Sequence, residues 1–233
     1  MPEISKILLL GAGGHCKSVL DSIISSYSYD SVGIIDKSTS LIMDENSNTL
    51  GIPIIGDKNS NVLGIPIIGD DNDLTRLFSE GYTEAFISVG SIGDVSLRKR
   101  LYTTIKHIGF HIPNIIDKSS VVSSSVVLGE GIYIGKNAVV NVNAEIGDCA
   151  IINTSAVIEH ECRIGPFVHI APGSILSGKV SIEVGTHIGS GSVIKQGIHI
   201  GADTMIGIGS VVLKDFGSKV TAYGNPCKEV EHE

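Results

Sequence analysis

Seventeen aliphatic residues stand six apart without a break, from Ile116, Val122, Leu128 and Ile134 through to Ile200, Ile206 and Val212. A spacing of six matches neither the 3.6-residue period of an α-helix nor the two-residue period of a half-buried strand. It matches a triangular solenoid, in which each hexapeptide forms one short face and the ladder residue points into the prism. Self-similarity at a fixed period sets an architecture before any other feature is read. Four places after a ladder residue the side chain is usually small, as at Ala138, Ala144, Ala150, Ala156, Cys162, Ser174, Thr186, Ser192, Thr204 and Ser210. A tight corner has room for little more. Three faces of six residues make one coil, so residues 18 apart stack at the spacing of neighbouring strands, about 4.8 Å.

The segment before the ladder has a different grammar. Residues 4–10 (ISKILLL) read as a buried strand, GAGGH at 11–15 as a glycine-rich turn, and residues 16–27 as a helix with Val19, Leu20, Ile23 and Ile24 on one side. VGIID at 32–36 and EAFISVG at 84–90 read as further strands, and 73–82 and 96–109 as helices, with Asp73 a candidate N-cap for the first of these. Such alternation predicts a small parallel sheet covered by helices, a Rossmann-like unit. The expected domains are therefore 1–112 (Rossmann-like), 113–215 (solenoid) and 216–233 (tail). Within the first, Asn46–Asp57 recurs as Asn59–Asp70 with Thr49 changed to Val62. Two copies cannot build a solenoid, so this reads as a tandem duplication tolerated in a surface connection, the second copy holding the place of the single segment and the first an added loop or hairpin.

With 17 Lys and Arg against 25 Asp and Glu, the net charge is −8, which argues against nonspecific nucleic-acid binding and against an anionic membrane surface. No 18-residue apolar run is present, so no membrane span is expected. The N-terminal apolar run is short and lacks a basic flank, so it reads as a strand and not a signal peptide. Cys16, Cys149, Cys162 and Cys227 are widely spaced, which fits free buried thiols in a cytoplasmic protein better than zinc or disulfides.

The turn Gly11-Ala12-Gly13-Gly14-His15 lies between strand and helix, where backbone N–H groups can hold a phosphate. The strict dinucleotide fingerprint wants Gly or Ala where Cys16 stands, so a phosphate-bearing ligand fits better than NAD. Asp36 ends the second strand, in reach of a ribose or base. In the solenoid, His169 and His187 stack 18 apart, but a zinc site like that of β-helical carbonic anhydrases needs a His-x4-His pair, and no two of His160, His169, His187 and His199 are five apart. His187 and His199 read as outer-face residues, and His107 and His111 as surface. His160 comes two places after Ile158 and should project outward between Glu159 and Glu161. A neighbouring carboxylate fixes an imidazole tautomer and stabilises imidazolium, as a general base near neutral pH requires. A surface histidine among charges would carry the same signature.

GAGGH at 11–15, IID-Lys37, NTSAVIEHE at 153–161, GPFVH at 165–169 and Gly224-Asn225-Pro226 together resemble one family, the acetyl-CoA-dependent sugar acetyltransferases of bacterial glycan pathways. These include UDP-4-amino-sugar N-acetyltransferases and enzymes described as sialic acid O-acetyltransferases. The resemblance implies a left-handed parallel β-helix, a homotrimer, and acetyl-CoA as acyl donor with no metal. It implies His160 as general base, Glu161 raising its basicity, and direct attack of the freed nucleophile on the thioester. Asn153 would support the base or line the coenzyme site, His169 would lie beside the coenzyme, and Gly178, Ser190 and Ile208 would line the pantetheine groove. Gly13, Gly14, His15, Asp36, Lys37 and Gly90 would form the nucleotide-sugar pocket. The expected activity is N-acetylation of a nucleotide-linked amino sugar of the UDP-4-amino-4,6-dideoxy type. The alternatives are O-acetylation of a sialic acid or polysaccharide, transfer of another acyl group, and a non-catalytic trimeric nucleotide-sugar-binding protein. The family's closing motif usually has Ala where Cys227 stands.

Overall fold

A computed structural model of the chain describes residues 5–37 and 61–230. It divides into two compact units, one running to Gly90 and resuming over Arg98–Pro113, the other formed by Ser91–Leu97 with everything from Asn114 onward.

In the first unit, β1 (Lys6–Leu10), α1 (Gly14–Ser26), β2 (Ser31–Ile35), β3 (Asn61–Val62), β4 (Ile65–Gly69), α2 (Leu74–Ser79) and β5 (Glu84–Ile87) precede α3 (Ser96–Ile108), whose first two residues belong to the second unit. The sheet order is β3-β4-β2-β1-β5, parallel except for the β3–β4 edge. β1 lies between β2 and β5, and Ile7, Leu8, Leu9 and Leu10 are all buried, as a strand covered on both faces must be. α1 turns Cys16, Val19, Leu20 and Ile23 inward. The second copy of the duplicated segment supplies β3 and β4, a strand pair not expected from sequence. The first copy lies outside the described residues. Asp73 does not cap α2 with its side chain. A 3₁₀ turn over Asp71–Asp73 precedes that helix, and Asp70 caps this turn reciprocally with Asp73, accepting from Asn72 N at 2.7 Å while Asp73 accepts from Asp70 N at 3.0 Å.

The second unit is a left-handed parallel β-helix of two-residue strands on three faces. One face stacks Val121–Val122, Val139–Val140, Val157–Ile158, Ile175–Leu176, Val193–Ile194 and Val211–Val212, here called the valine face. The charged face runs through Glu145–Ile146, Arg163–Ile164 and Ser181–Ile182 to His199–Ile200. The histidine face runs through Tyr133–Ile134, Ile151–Ile152, His169–Ile170, His187–Ile188 and Met205–Ile206. Every pairing among these coils is parallel with an offset of 18, for instance Ile151↔His169 and His169↔His187.

The ladder residues from Ile134 onward fill the prism and are buried, while Ile116, Val122 and Leu128 at its first coil are only partly so. At the small corner positions the buried hydroxyls are satisfied by the next coil. Ser174 Oγ donates to Gly189 O at 2.9 Å, Thr186 Oγ1 to Gly201 O at 2.6 Å and Ser192 Oγ to Gly207 O at 3.0 Å. Three places after each ladder residue from Leu128 to Ile206 the backbone turns through the left-handed region. Gly173, Gly185, Gly191, Gly197 and Gly209 hold that position, but so do Asn143, Glu161 and Lys179 with φ of 56°, 58° and 61°. Cys16, Cys149, Cys162 and Cys227 are free and buried, and burial pushes the Cys16 and Cys162 thiols up to about 11. Among the described residues no helix is long and apolar enough to cross a membrane.

Candidate active site

The functional residues expected in the solenoid fall at two corners of the prism. His160 sits in the turn joining Val157–Ile158 on the valine face to Arg163–Ile164 on the charged face, with its side chain 43% exposed. Its Nδ1 is 3.1 Å from Glu161 Oε2. A carboxylate there can only accept, so Nδ1 carries the proton and Nε2 presents its lone pair. One coil on, Gly178 lies against the ring, and any Cβ at that position would run into Nε2. Gly178 is therefore a floor for the imidazole. Glu161 occupies a left-handed backbone position that glycine or asparagine fills more easily. The equivalent corner residues Ser155, Phe167 and Lys179 share this conformation, so it belongs to the repeat and not to the site.

The second corner lies where the histidine face turns into the valine face. A pocket of about 270 Å³ is lined there by Ile92, His169, Ala171, Pro172, His187, Ser190, Met205, Ile206 and Ile208 with Gly189 and Gly207. His169 is locked at both nitrogens. Nδ1 is 2.9 Å from Ser91 O, a pure acceptor, so Nδ1 bears the proton; Nε2 then accepts from Asn153 Nδ2 at 3.1 Å. Asn153 is oriented in turn by Thr154 N–H, which donates to its Oδ1 at 2.8 Å. His169 is therefore neutral, and it pins the Ser91–Leu97 segment onto the coil. Asn153 does not support His160, as the sequence allowed; it follows a strand of a different face and is committed to His169.

His187 is a correction of a different kind. Expected on the outer surface, it is only 7% exposed and packs edge-on against His169 with ring centroids 4.8 Å apart. The Ser91–Leu97 segment belongs to the same unit, with Gly93 against Met205 and Val95 against Gly185, and period-six spacing gave no sign of it. Burial holds His187 below the ordinary histidine value, and Nδ1 has no partner. The folded chain thus binds this proton less readily than the unfolded chain. Stability from this site is complete above the unfolded histidine value and is lost as pH falls from there toward the lower, folded value. The fall in thermal midpoint between pH 7 and pH 5 should be smaller in His187→Phe than in the parent chain, as calorimetry at the two pH values would read. His199, by contrast, is on the charged face, half exposed, with Nε2 3.3 Å from Glu183. His111 contacts Glu84 at 3.2 Å beyond the end of α3.

In the first unit, Gly13 and Gly14 open α1 with free space where a Cβ would stand, and no side chain caps the helix. Asp36 Oδ2 accepts from Ala12 N at 3.0 Å, tying the glycine turn to the end of β2. Gly90 packs on His15, and a Cβ there would be 3.4 Å from the His15 Cβ. Lys37 is exposed and 3.2 Å from Asp71. Gly13, Gly14, His15, Gly90 and Asp36 thus gather at the N-terminus of α1, and Lys37 follows Asp36 in the chain. Among the described residues no group of three His, Cys, Asp or Glu could hold a metal ion.

A β-helix carrying a carboxylate-paired histidine at one corner and a largely apolar pocket at another defines the chain as an acyltransferase of the hexapeptide-repeat class. The chain belongs to the bacterial sugar acetyltransferases of that class. The model of the PglD N-terminal domain matches residues 6–105. The chain is similar to PerB from Caulobacter crescentus, solved with CoA and GDP-perosamine, at 35% identity over 98% of both chains and a TM-score of 0.84. It is similar to the acetyltransferase domain of PglB from Neisseria gonorrhoeae, solved with acetyl coenzyme A, at 28% identity over 97% of this chain and 98% of that one, with a TM-score of 0.82. WeeI from Acinetobacter baumannii, at 24% identity over 97% of this chain and all of that one and a TM-score of 0.77, shares the fold. No curated protein sequence matches the chain.

Proposed function

We propose that the chain transfers an acetyl group from acetyl-CoA to the amino group of a nucleotide-linked amino sugar. The observation that carries this reading is the His160–Glu161 pair poised over Gly178 in a chain 35% identical to a GDP-perosamine N-acetyltransferase. With Nδ1 held by Glu161, His160 Nε2 takes the proton from the amine as the nitrogen–acyl bond forms. The acyl–sulfur bond then breaks, and the departing sulfur takes up the proton that His160 gives back, so coenzyme A leaves as the thiol and the free base is restored. The pocket beside His169 fits the donor's arm: Ala171, Pro172, Ile206 and Ile208 give it apolar walls, and Ser190 stands at its rim. Gly13, Gly14, His15, Asp36, Lys37 and Gly90 would take the sugar nucleotide, with diphosphate at the α1 N-terminus.

A homotrimer is part of this proposal. All six outward positions of the valine face are Val or Ile: Val121, Val139, Val157, Ile175, Val193 and Val211. Val121 is 63% exposed, and Ile175 and Val193 about 40%. A β-branched apolar sheet face of this kind favours cover by another chain. This face lies between the His160 corner and the His169 corner. Packing three valine faces around an axis would set one chain's His160 corner beside its neighbour's donor pocket.

The acceptor that the sequence resemblance favours is a UDP-linked 4-amino-4,6-dideoxy sugar. The GDP-linked counterpart is the second reading, favoured by the Caulobacter relative. A coenzyme-release assay with acetyl-CoA against UDP- and GDP-linked 4-amino sugars and free and CMP-linked sialic acids tests both. We expect turnover and a mass gain of one acetyl on an amino sugar. Turnover on sialic acids alone would replace this reading with O-acetylation.

A further inference from the structure

Lys179 stands one coil beyond Glu161, at the equivalent corner position, directly after the glycine that floors the imidazole. It holds the His160 turn twice. Its backbone N–H donates to His160 O at 2.9 Å, and its Nζ lies 3.7 Å from Glu161 Oε2. That oxygen is the one 3.1 Å from His160 Nδ1. One carboxylate oxygen is thus shared between the imidazole and an ammonium group. The other charged group on the turn is Glu159; on the preceding coil the stacked residues are Val142 and Asn143, which carry no charge.

We infer that Lys179 is a positioning residue for the base: it holds the Glu161 carboxylate on Nδ1 and moderates the negative charge that His160 feels. The inference rests on the general-base reading above. Without the ammonium group, Glu161 would pull more strongly for imidazolium. Both side chains are about half exposed, so water limits the effect to a few-fold.

The pH dependence of kcat/KM tests this in Lys179→Asn, Lys179→Arg and His160→Ala. Asparagine suits the left-handed backbone at 179 while removing the charge, so the coil should stay intact. We expect the acid limb to move to higher pH in Lys179→Asn, with kcat/KM at pH 6 lower by about two- to fivefold, and to return in Lys179→Arg. A folded Lys179→Asn enzyme with an unmoved acid limb, while His160→Ala is inactive, would overturn the role of Lys179 alone. An acid limb that moves equally in Lys179→Asn and Lys179→Arg would also overturn it, because the charge would not be the cause. Full activity in His160→Ala would instead remove the general-base reading on which the inference stands.

Discussion

Replacing His160 by alanine should lower kcat/KM by about 10²- to 10⁴-fold, the usual contribution of a positioned proton acceptor. The protein should stay folded, because the side chain is 43% exposed and contributes nothing to the prism interior. Binding of donor and acceptor should survive. Gly178→Ala approaches the same defect from the other side: the added methyl lands on Nε2 and pushes the ring from its seat without touching the core. Its loss should appear in kcat and leave the denaturation midpoint nearly unchanged. Steady-state kinetics beside urea titrations of both variants would check this, and a His160→Ala enzyme with parental kcat/KM would refute the assignment.

Two inactive variants should restore each other when mixed. If each site joins one chain's His160 corner to a neighbour's donor pocket, His160→Ala and Ser190→Trp damage opposite halves. Ser190 is exposed at the pocket rim, so the tryptophan blocks the pocket without disturbing the coil. After unfolding and co-refolding at equal amounts, each site draws a sound histidine half the time and a sound pocket half the time. Activity should return to about a quarter of the parental value. No return in trimers shown by mass spectrometry to be mixed would mean that each site is built within one chain.

The solenoid was legible because its signal is repeated. Any one hexapeptide, such as Ile158 to Arg163, is too short to mean anything, but a ladder residue, a small corner and a tight turn recurring in step leave one architecture standing. The His160–Glu161 contact was legible for a local reason: adjacent residues in a two-residue corner turn have little freedom, so side-chain contact follows from sequence proximity. His187 was misread because the same period says only that it points out of the prism. Whether an outward residue meets water depends on what lies over it, and here the His169 ring packs on it, itself held by the Ser91 carbonyl from 78 residues away. Asn153 was attached to the wrong histidine for a related reason. It is seven places from His160 and sixteen from His169 along the chain, yet a coil of 18 residues brings the more distant one alongside. β3 and β4 were missed because Ile65–Gly69 contains Pro66, ends in a glycine and follows Gly64, which lowers strand propensity; parallel pairing with β2 overrides that preference.

The 18-residue register gives the solenoid a reading frame of its own. His160 is seated by Gly178, and His169 packs on His187, because each pair is separated by one full coil. Inserting or deleting six or twelve residues within a coil would shift every later face by one or two while keeping the ladder inside, and any number that is not a multiple of six would turn ladder residues outward; either way the donor pocket leaves its corner. Adding a whole coil between 160 and 178 would keep the prism intact and still part the imidazole from its floor. The chain's own duplicated stretch, offset by 13 residues, lies well before the first ladder position. Thirteen extra residues placed after Ile116 would have been a frameshift in three dimensions.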